Sequence, residues 1–291
     1  MINIEQLTVR YGNFTALDIK EPVTIESGDR IGIIGSNGAG KSTFVKAVLG
    51  LINYSGKINT DINPRDMAVH MQENNYVRTV PVRYIIEAVL NTDIHKDKKL
   101  KDLIDFFDFA SCLNKKFPAL SGGQKQRLTI ILVLMQNAHI TFFDEITSGL
   151  DFETRQILMA KIEEWYKNTN SSLCIVSHYY DELKALTDKL LILEKGQVVA
   201  YGKTSDLFRH YCGSVLIVTE NNEENKLLTK DFPQVTAPEN LLVFPCESTD
   251  DELRIVTTLS QHNADYKRVS NDIEILFACA LHNHSNMRAA E

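Results

Sequence analysis

The chain has 291 residues, of which 44% are hydrophobic and 24% are charged, a balance typical of a soluble globular protein with room for one or two domains. Its 31 basic and 38 acidic side chains give a net charge of −7, which argues against a nucleic-acid partner. The N-terminus lacks a basic segment followed by an apolar one, and apolar runs such as 130–135 are far shorter than the roughly 20 residues of a membrane span, so we expect a cytoplasmic protein.

The beginning of the chain predicts an antiparallel sheet. Residues 2–10 alternate apolar and polar side chains, as a strand with one buried face does. Tyr11 ends this strand, and an aromatic ring here could stack on a purine. Judged alone, a half-exposed tyrosine at a strand end is an equally good interpretation. Short strands continue over 13–25.

A phosphate-binding motif follows at 35–43. Its residues are Gly35, Ser36, Asn37, Gly38, Ala39, Gly40, Lys41, Ser42 and Thr43. The apolar run 31–34 predicts a strand before it, and 44–49 predicts a helix after it. The glycines let backbone N–H groups surround phosphate oxygens, Lys41 would bind the β- and γ-phosphates, and the Ser42 hydroxyl could bind Mg²⁺. We therefore predict that the chain binds a nucleoside triphosphate.

The next segment contains a candidate metal contact and a predicted helical insertion. Gln72 follows a predicted strand at 67–71, from which its amide could reach a bound metal and its water, although such a glutamine alone is more often a solvated loop residue. Residues 82–90 and 100–109 have helical spacing and predict a small helical insertion, and the lysine-rich run 95–99 between them predicts a solvated turn.

A second possible phosphate-binding surface precedes the apolar helix predicted at 128–135. It consists of Ser121, Gly122, Gly123 and Gln124. Ser121 stands where a helix N-cap belongs, so exposed N–H groups, a hydroxyl and the helix dipole would come together there. A chain with one phosphate-binding loop holds one γ-phosphate, which raises the question of whose phosphate this surface binds.

Three polar side chains follow two predicted buried strands. Asp144 and Glu145 come directly after 140–143; Asp144 is predicted to hold Mg²⁺, and Glu145 to orient or deprotonate the attacking water. A bare Asp-Glu pair is usually a solvated turn, but the apolar run before it and the upstream loop favour function. His178 follows 173–176 and could hydrogen-bond a γ-phosphate, although a lone histidine is more often structural.

The last third of the chain predicts a hairpin and then a separate small domain. Residues 190–200 would form the hairpin, turning at 194–196, and the composition changes from about Gly213. Beyond it we predict strands at 215–218 and 241–244 and helices at 250–261 and 272–281, with His282 and His284 in a tail that binds no metal. The five scattered cysteines predict buried free thiols.

Residues 1–210 resemble the nucleotide-binding subunit of an ATP-binding cassette (ABC) transporter. The motifs appear in that family's order: Walker A at 35–43, the Q-loop Gln72, the LSGGQ signature at 120–124, Walker B at 143–145, the D-loop at 148–151 with Asp151, and the switch His178. One departure is Ile146, which stands where the family usually has proline and leaves both carboxylates in place.

This resemblance implies an α/β fold: a P-loop NTPase core with an antiparallel β subdomain and a helical subdomain at about 76–135, all within 1–212. Residues 213–291 would form a small C-terminal α+β domain. The implied partners are a second copy in a head-to-tail homodimer and an integral-membrane permease, with the subunit peripheral on the cytoplasmic face of the membrane.

The resemblance also implies a set of roles. ATP would be bound by Tyr11 and the Walker A residues, Mg²⁺ by Ser42, Gln72 and Asp144, and hydrolysis would use Glu145, His178 and Gln72. The signature residues Ser121 to Gln124 would complete the site of the other copy. The function implied is an ATPase that powers a transporter.

The transport direction follows from a looser similarity. Residues 266–281 are similar to the end of cassettes that serve bacterial export permeases, so export of a drug, antibiotic peptide or similar amphipathic cargo is the preferred interpretation. An importer subunit and a soluble ABC ATPase without a transport role are the alternatives.

Overall fold

The protein is described by a computed structural model that covers residues 1–71 and 76–290, so Gln72 lies outside the described residues. Contacts divide the chain into two compact units. The first consists of Met1–Thr187 with Lys195–Gln197, and the second of Asp188–Glu194 with Val198–Glu291. Over the described ranges no helix is both long and apolar enough to cross a bilayer.

The first unit begins with an antiparallel sheet. Its strands are β1 (Ile2–Tyr11), β2 (Phe14–Ile19), β3 (Val23–Ile25) and β5 (Ser55–Thr60). β1 lies at the centre, paired with the three others. The apolar residues that alternate along it, from Ile2 to Val9, are buried, which confirms the predicted amphipathic strand.

The same unit contains the parallel strands that position the site. They are β4 (Arg30–Gly35), β6 (Met67–His70), β7 (Ile140–Asp144) and β8 (Ser172–Val176), in the order β4-β8-β7-β6. β7 and β8 are buried along their whole length, which explains why most of their residues are apolar. Because these strands are parallel, their carboxyl ends meet at one edge of the sheet.

Six α-helices lie between or after these strands in the described part of the first unit. They are α1 (Lys41–Val48), α2 (Val82–Leu90), α3 (Lys98–Phe106), α4 (Gly122–Leu134), α5 (Phe152–Lys167) and α6 (Tyr180–Leu186). α2 has the predicted bounds. The predicted turn at 95–99 is too long, because its last two residues already belong to α3. The Asp97 carboxylate accepts from Leu100 N–H and starts this helix at Lys98. The helix stops before 109, since Asp108 takes a left-handed φ of 50°.

The second unit combines a hairpin, a sheet and packed helices. Its elements are β9 (Lys189–Glu194), β10 (Gln197–Lys203), α7 (Thr204–Cys212), β11 (Val215–Glu220), α8 (Glu223–Leu228), β12 (Leu241–Cys246), α9 (Thr249–Gln261), β13 (Tyr266–Val269) and α10 (Ile273–Ala290). β12, β11 and β13 form an antiparallel sheet in that order. α9 packs on it through Ile255 and Leu259, which meet Ile217 and Phe244 in one core. All five cysteines of the chain are buried and free, as predicted.

The sequence did not predict three elements of this unit: α7, α8 and β13. β13 is an edge strand whose first three side chains are exposed, so it lacks the alternation by which a half-buried strand is recognised. α10 also continues past Leu281 as far as Ala290, so His282 and His284 lie on a helix and not in a separate tail.

Candidate active site

The phosphate-binding loop connects the buried strand β4 to helix α1 with a geometry that requires glycine at Gly40. Its φ is +102°, in the left-handed region. A Cβ atom there would lie 2.7 Å from Leu17 Cδ2 and 3.0 Å from the Ala16 carbonyl oxygen, so a side chain is excluded by space as well as by conformation. Of the remaining loop residues, Ser36, Asn37 and Gly38 are exposed, and Ala39 is buried.

The side chain of Lys41 lies inside this loop and is only 7% exposed. Its Nζ donates to the Gly35 carbonyl oxygen at 2.8 Å and to that of Ser36 at 3.1 Å. Lys41 is also the first residue of α1, where backbone N–H groups and the positive end of the helix dipole point outwards. Ammonium and helix terminus together form a positive concavity suited to the phosphates of a nucleotide.

Ser42 and Asp144 meet beside the loop, joining α1 to the end of β7. Their side chains are hydrogen-bonded, and Asp144 is 4% exposed. Burial raises the pKa of Asp144 and the Glu145 charge adds to this effect, whereas the Ser42 hydrogen bond and the charges of Lys46 and Lys41 oppose it. A hydroxyl and a carboxylate oxygen in contact are the hard ligands that Mg²⁺ prefers, so the residues present fit that metal.

Glu145 and His178 form a second pair, on the loops after β7 and β8. His178 Nε2 lies 3.0 Å from Glu145 Oε1, and both side chains are partly exposed. Glu145 has a φ of 51°, unusual for a residue with a side chain, and its N–H donates to the Val176 carbonyl at 3.0 Å. The backbone thus holds the carboxylate at the sheet edge against a local conformational cost. Ile146, the residue that departs from the family pattern, is 1% exposed.

The predicted signature residues begin α4. Ser121 is its N-cap, as the sequence indicated: Gln124 N–H donates to Ser121 Oγ at 3.3 Å, and Ser121 N–H donates to Gln124 Oε1 at 3.1 Å. A Cβ atom on Gly123 would lie 2.6 Å from Thr154 Cγ2, so glycine is needed where α4 approaches α5. One on Gly122 would make only ordinary contact, at 3.6 Å from Leu150.

Asp151 has a local structural role as a helix cap, and Tyr11 is an exposed residue at a strand end. The Asp151 carboxylate caps α5, accepting from the Thr154 N–H at 3.0 Å and from the Thr154 hydroxyl at 2.8 Å, and these hydrogen bonds hold its pKa below the usual value. Tyr11 ends β1 with 53% of its surface exposed, opposite the exposed Phe14 of β2. Its ring is therefore accessible to a purine.

The sequence missed two polar contacts near these residues. Glu182 of α6 is buried and accepts from the hydroxyls of Thr147 and Ser177. His70 at the end of β6 is fully buried, and its Nε2 lies 2.8 Å from Gln126 Oε1 of α4. Burial lowers the pKa of His70 to about 4, so its ring is neutral at neutral pH. The Thr147–Glu182 and His70–Gln126 contacts join residues 35 and 56 positions apart, which no local pattern could have indicated.

Comparison with known proteins places this site in a family. Residues 22–148 match the family described as ABC transporter. The energy-coupling factor transporter ATP-binding protein EcfA1 of Mycoplasmopsis pulmonis is 31% identical over 228 residues, which are 72% of this chain and 85% of that protein. The methionine import ATP-binding protein MetN of Clostridioides difficile is 27% identical over 282 residues, which are 88% of this chain and 86% of that protein.

Solved structures agree with the fold. An ATP-binding subunit of an ABC transporter aligns with a TM-score of 0.65 at 21% identity, covering 73% of this chain and 94% of that one. A dimeric ATP-binding cassette in a post-hydrolysis state, bound to ADP and phosphate, aligns with a TM-score of 0.61 at 21% identity, covering 70% and 98%. With these matches added to the phosphate-binding loop and the carboxylates beside it, the chain belongs to the ABC transporter family, as an ATP-binding subunit that hydrolyses ATP.

Proposed function

We propose that this chain is the ATPase subunit of an ABC importer and works as a homodimer beneath a membrane permease. The observation that supports ATP hydrolysis by this chain is that two pairs of side chains lie at one edge of the parallel sheet. The Ser42–Asp144 hydrogen bond lies beside the phosphate-binding loop, and the Glu145–His178 pair lies on the adjoining strand ends. Phosphoryl transfer requires mainly positioning and charge stabilisation, and these groups supply both.

We assign the following roles within one site. Lys41 and the N–H groups of the loop bind the β- and γ-phosphates of ATP, and the Tyr11 ring stacks on the base. Ser42 and Asp144 hold Mg²⁺ with Gln72, and the metal, when bound, neutralises phosphate charge. Glu145 accepts a proton from the attacking water or orients it, while His178 contacts the γ-phosphate.

The signature residues are proposed to act on the nucleotide of the other copy. The start of α4 presents exposed Ser121 and Gly122 while its capping box satisfies the helix end internally. The chain has one phosphate-binding loop, so a second anion surface has a use if two copies face each other head to tail. Two ATP molecules would then be bound between the copies, and Asp151 would lie in the loop next to that interface.

Mixing two inactive variants tests the shared site. Lys41→Ala removes the phosphate contact of its own site, and Gly122→Asp puts a negative charge where the partner's phosphate would approach. An acidic residue in the first turn suits a helix and Gly122 has room for a Cβ atom, so this variant should fold. Each variant alone should be inactive, whereas their mixture should recover activity because mixed dimers contain one intact site. Steady-state phosphate release measures it.

The matched control for this mixture is Leu227→Asp, a new acid at an exposed position in α8, which should not change the rate. Activity in Gly122→Asp alone, or a mixture as inactive as its components, would mean that the signature residues do not serve a second copy. Loss of the recovered activity on dilution would support the dimer further.

Import is the direction that the relatives favour. MetN is named as a methionine import protein, and its alignment extends through most of this chain. The export preference rested on the loose similarity of 266–281 alone, so the import alternative now has the better support.

Transport by the assembled complex tests the direction. The complex, copurified from detergent-solubilised membranes with its own permease and placed in vesicles, should move solute towards the side of this subunit when Mg-ATP is supplied on that side. Candidate solutes are screened as radiolabelled pools from growth medium. ATP-dependent movement only away from the subunit's side would restore the export interpretation.

The remaining parts of this proposal concern organisation. We place the nucleotide-binding domain at 1–212 with its helical subdomain at about 76–135, and the accessory domain at 213–291. We place the subunit on the cytoplasmic face of the membrane, bound to the permease. Limited proteolysis of the purified chain, with mass spectrometry of the fragments, would test the boundary near 212.

A further inference from the structure

Glu182 is a buried carboxylate that none of the roles above uses. It lies in α6 with 3% of its surface exposed. Taking an ionised carboxylate out of water is costly unless hydrogen bonds and an opposite charge replace the lost solvation. The groups that stabilise the Glu182 charge therefore show which parts of the chain this side chain connects.

Both carboxylate oxygens of Glu182 accept a hydroxyl hydrogen bond. Thr147 Oγ1 donates to Oε1 at 2.5 Å, and Ser177 Oγ donates to Oε2 at 2.6 Å. Short bonds from hydroxyls to a carboxylate are among the stronger hydrogen bonds in proteins. All three side chains are buried, so water does not compete with these bonds.

The two hydroxyls belong to the two loops of the Glu145–His178 pair. Thr147 follows Glu145 by two positions on the loop after β7, and Ser177 immediately precedes His178 after β8. Ser177 Oγ also accepts from the Tyr179 N–H at 3.0 Å, which orients the turn on the far side of His178. One carboxylate thus links the loop of the proposed water-activating residue to the loop of the proposed phosphate contact.

Arg155 of α5 provides the opposite charge. Its Nε lies 3.8 Å from Glu182 Oε1, and its side chain is 13% exposed. The guanidinium lies over the Tyr179 ring at 4.0 Å, which further restricts where it can move. The carboxylate is therefore fixed on three sides.

We propose that Glu182 is a positioning residue for ATP hydrolysis, whose carboxylate holds Thr147 and Ser177 and thereby sets the separation of Glu145 and His178. This inference rests on the proposed roles of Glu145 and His178. The two side chains are 3.0 Å apart on separate loops, so their relative position depends on what ties those loops together. The hydrogen bonds of Glu182 go to Thr147 and Ser177 and its ion pair goes to Arg155, none of which belongs to the P-loop or to the Ser42–Asp144 pair.

The test compares two isosteric variants of the full chain. Glu182→Gln keeps the shape of the side chain, but its NH₂ group cannot accept a hydroxyl hydrogen bond. Either Thr147 or Ser177 therefore loses its hydrogen bond to this residue. Thr147→Val removes one hydroxyl without a change of volume. For each we expect kcat for ATP to fall about tenfold or more, because small displacements of reacting groups are costly to the rate. KM for ATP and the Kd of a fluorescent ATP analogue should stay within about twofold, since the P-loop contacts are intact.

Two further variants distinguish this positioning role of Glu182 from a purely structural one. Thr147→Ser restores the hydroxyl, and it should recover most of the rate that Thr147→Val loses. Asp181→Asn changes the neighbouring exposed carboxylate, which lies 3.5 Å from Arg155 Nη2 but receives neither hydroxyl, and it should keep the wild-type kcat. Thermal unfolding of each variant checks that the chain is folded.

Several results would overturn the proposed positioning role of Glu182. These are an unchanged kcat in Glu182→Gln and Thr147→Val, a rise of KM and Kd in parallel with the loss of kcat, failure of Thr147→Ser to recover, or an equal loss in Asp181→Asn. Failure of the proposed function looks different, because it appears as normal turnover of Glu145→Gln with Glu182 intact. In the Glu145→Gln background the Glu182→Gln change should lower the residual rate no further, since the group that it positions is already disabled.

Discussion

The Glu145→Gln variant is expected to hydrolyse ATP about 10³-fold more slowly than the wild type, with its affinity for Mg-ATP retained. Glutamine has the size of glutamate and can keep the contact with His178, but it cannot accept a proton from water. The change leaves the Lys41 contacts and the Ser42–Asp144 hydrogen bond in place and removes only the Glu145 charge that helps to raise the pKa of Asp144. Phosphate release under saturating Mg-ATP measures the rate, and a fluorescent ATP analogue measures the affinity.

The same variant should accumulate as a dimer, because the nucleotide that holds the two copies together is not consumed. Light scattering with Mg-ATP should show twice the mass of the nucleotide-free sample. The matched control is Glu223→Gln, which changes an exposed carboxylate of α8 that pairs with Lys226 and should leave turnover unchanged. Normal phosphate release from Glu145→Gln would show that another group activates the water.

The Lys41→Ala variant is expected to bind ATP about 100-fold more weakly, the loss that follows when charge-assisted hydrogen bonds to phosphate are removed. The ammonium is the buried positive charge of the phosphate-binding loop, held by the Gly35 and Ser36 carbonyls. Titration with the fluorescent ATP analogue measures the change in Kd.

Lys57→Ala is the control for this loss, since Lys57 is an exposed lysine on β5 that pairs with Glu5. It should bind the analogue as the wild type does. Thermal unfolding of Lys41→Ala without nucleotide shows whether the loop tolerates the missing donor. Binding of the analogue by a folded Lys41→Ala variant with wild-type affinity would be incompatible with the assigned phosphate site.

The relatives favour import over export, and they support the predicted ATP-binding subunit. The similarity of 266–281 to export cassettes favoured export, but that segment contains β13 and part of α10, which belong to the second unit and carry none of the nucleotide-site motifs. A match there says little about direction. The MetN relative aligns over 88% of the chain, which is why import is now proposed.

The sequence by itself determined the parts of the site made from contiguous residues. The strand, glycine-rich turn and helix around Lys41 were predictable because left-handed glycines and a helix start depend on neighbouring residues. The cap formed by Ser121 and Gln124 was predictable for the same reason, since its hydrogen bonds span three positions. The amphipathic pattern of β1 likewise followed from local alternation.

Only the tertiary structure decided how distant parts of the chain meet. The pairing of Glu145 with His178 requires β8 to lie beside β7, and the contact of Ser42 with Asp144 requires α1 to reach the end of β7. The position of Glu182 between two loops is a further case. Strand order follows from the packing of the whole core, where many side chains compete for the same neighbours, and therefore no short stretch of sequence contains it.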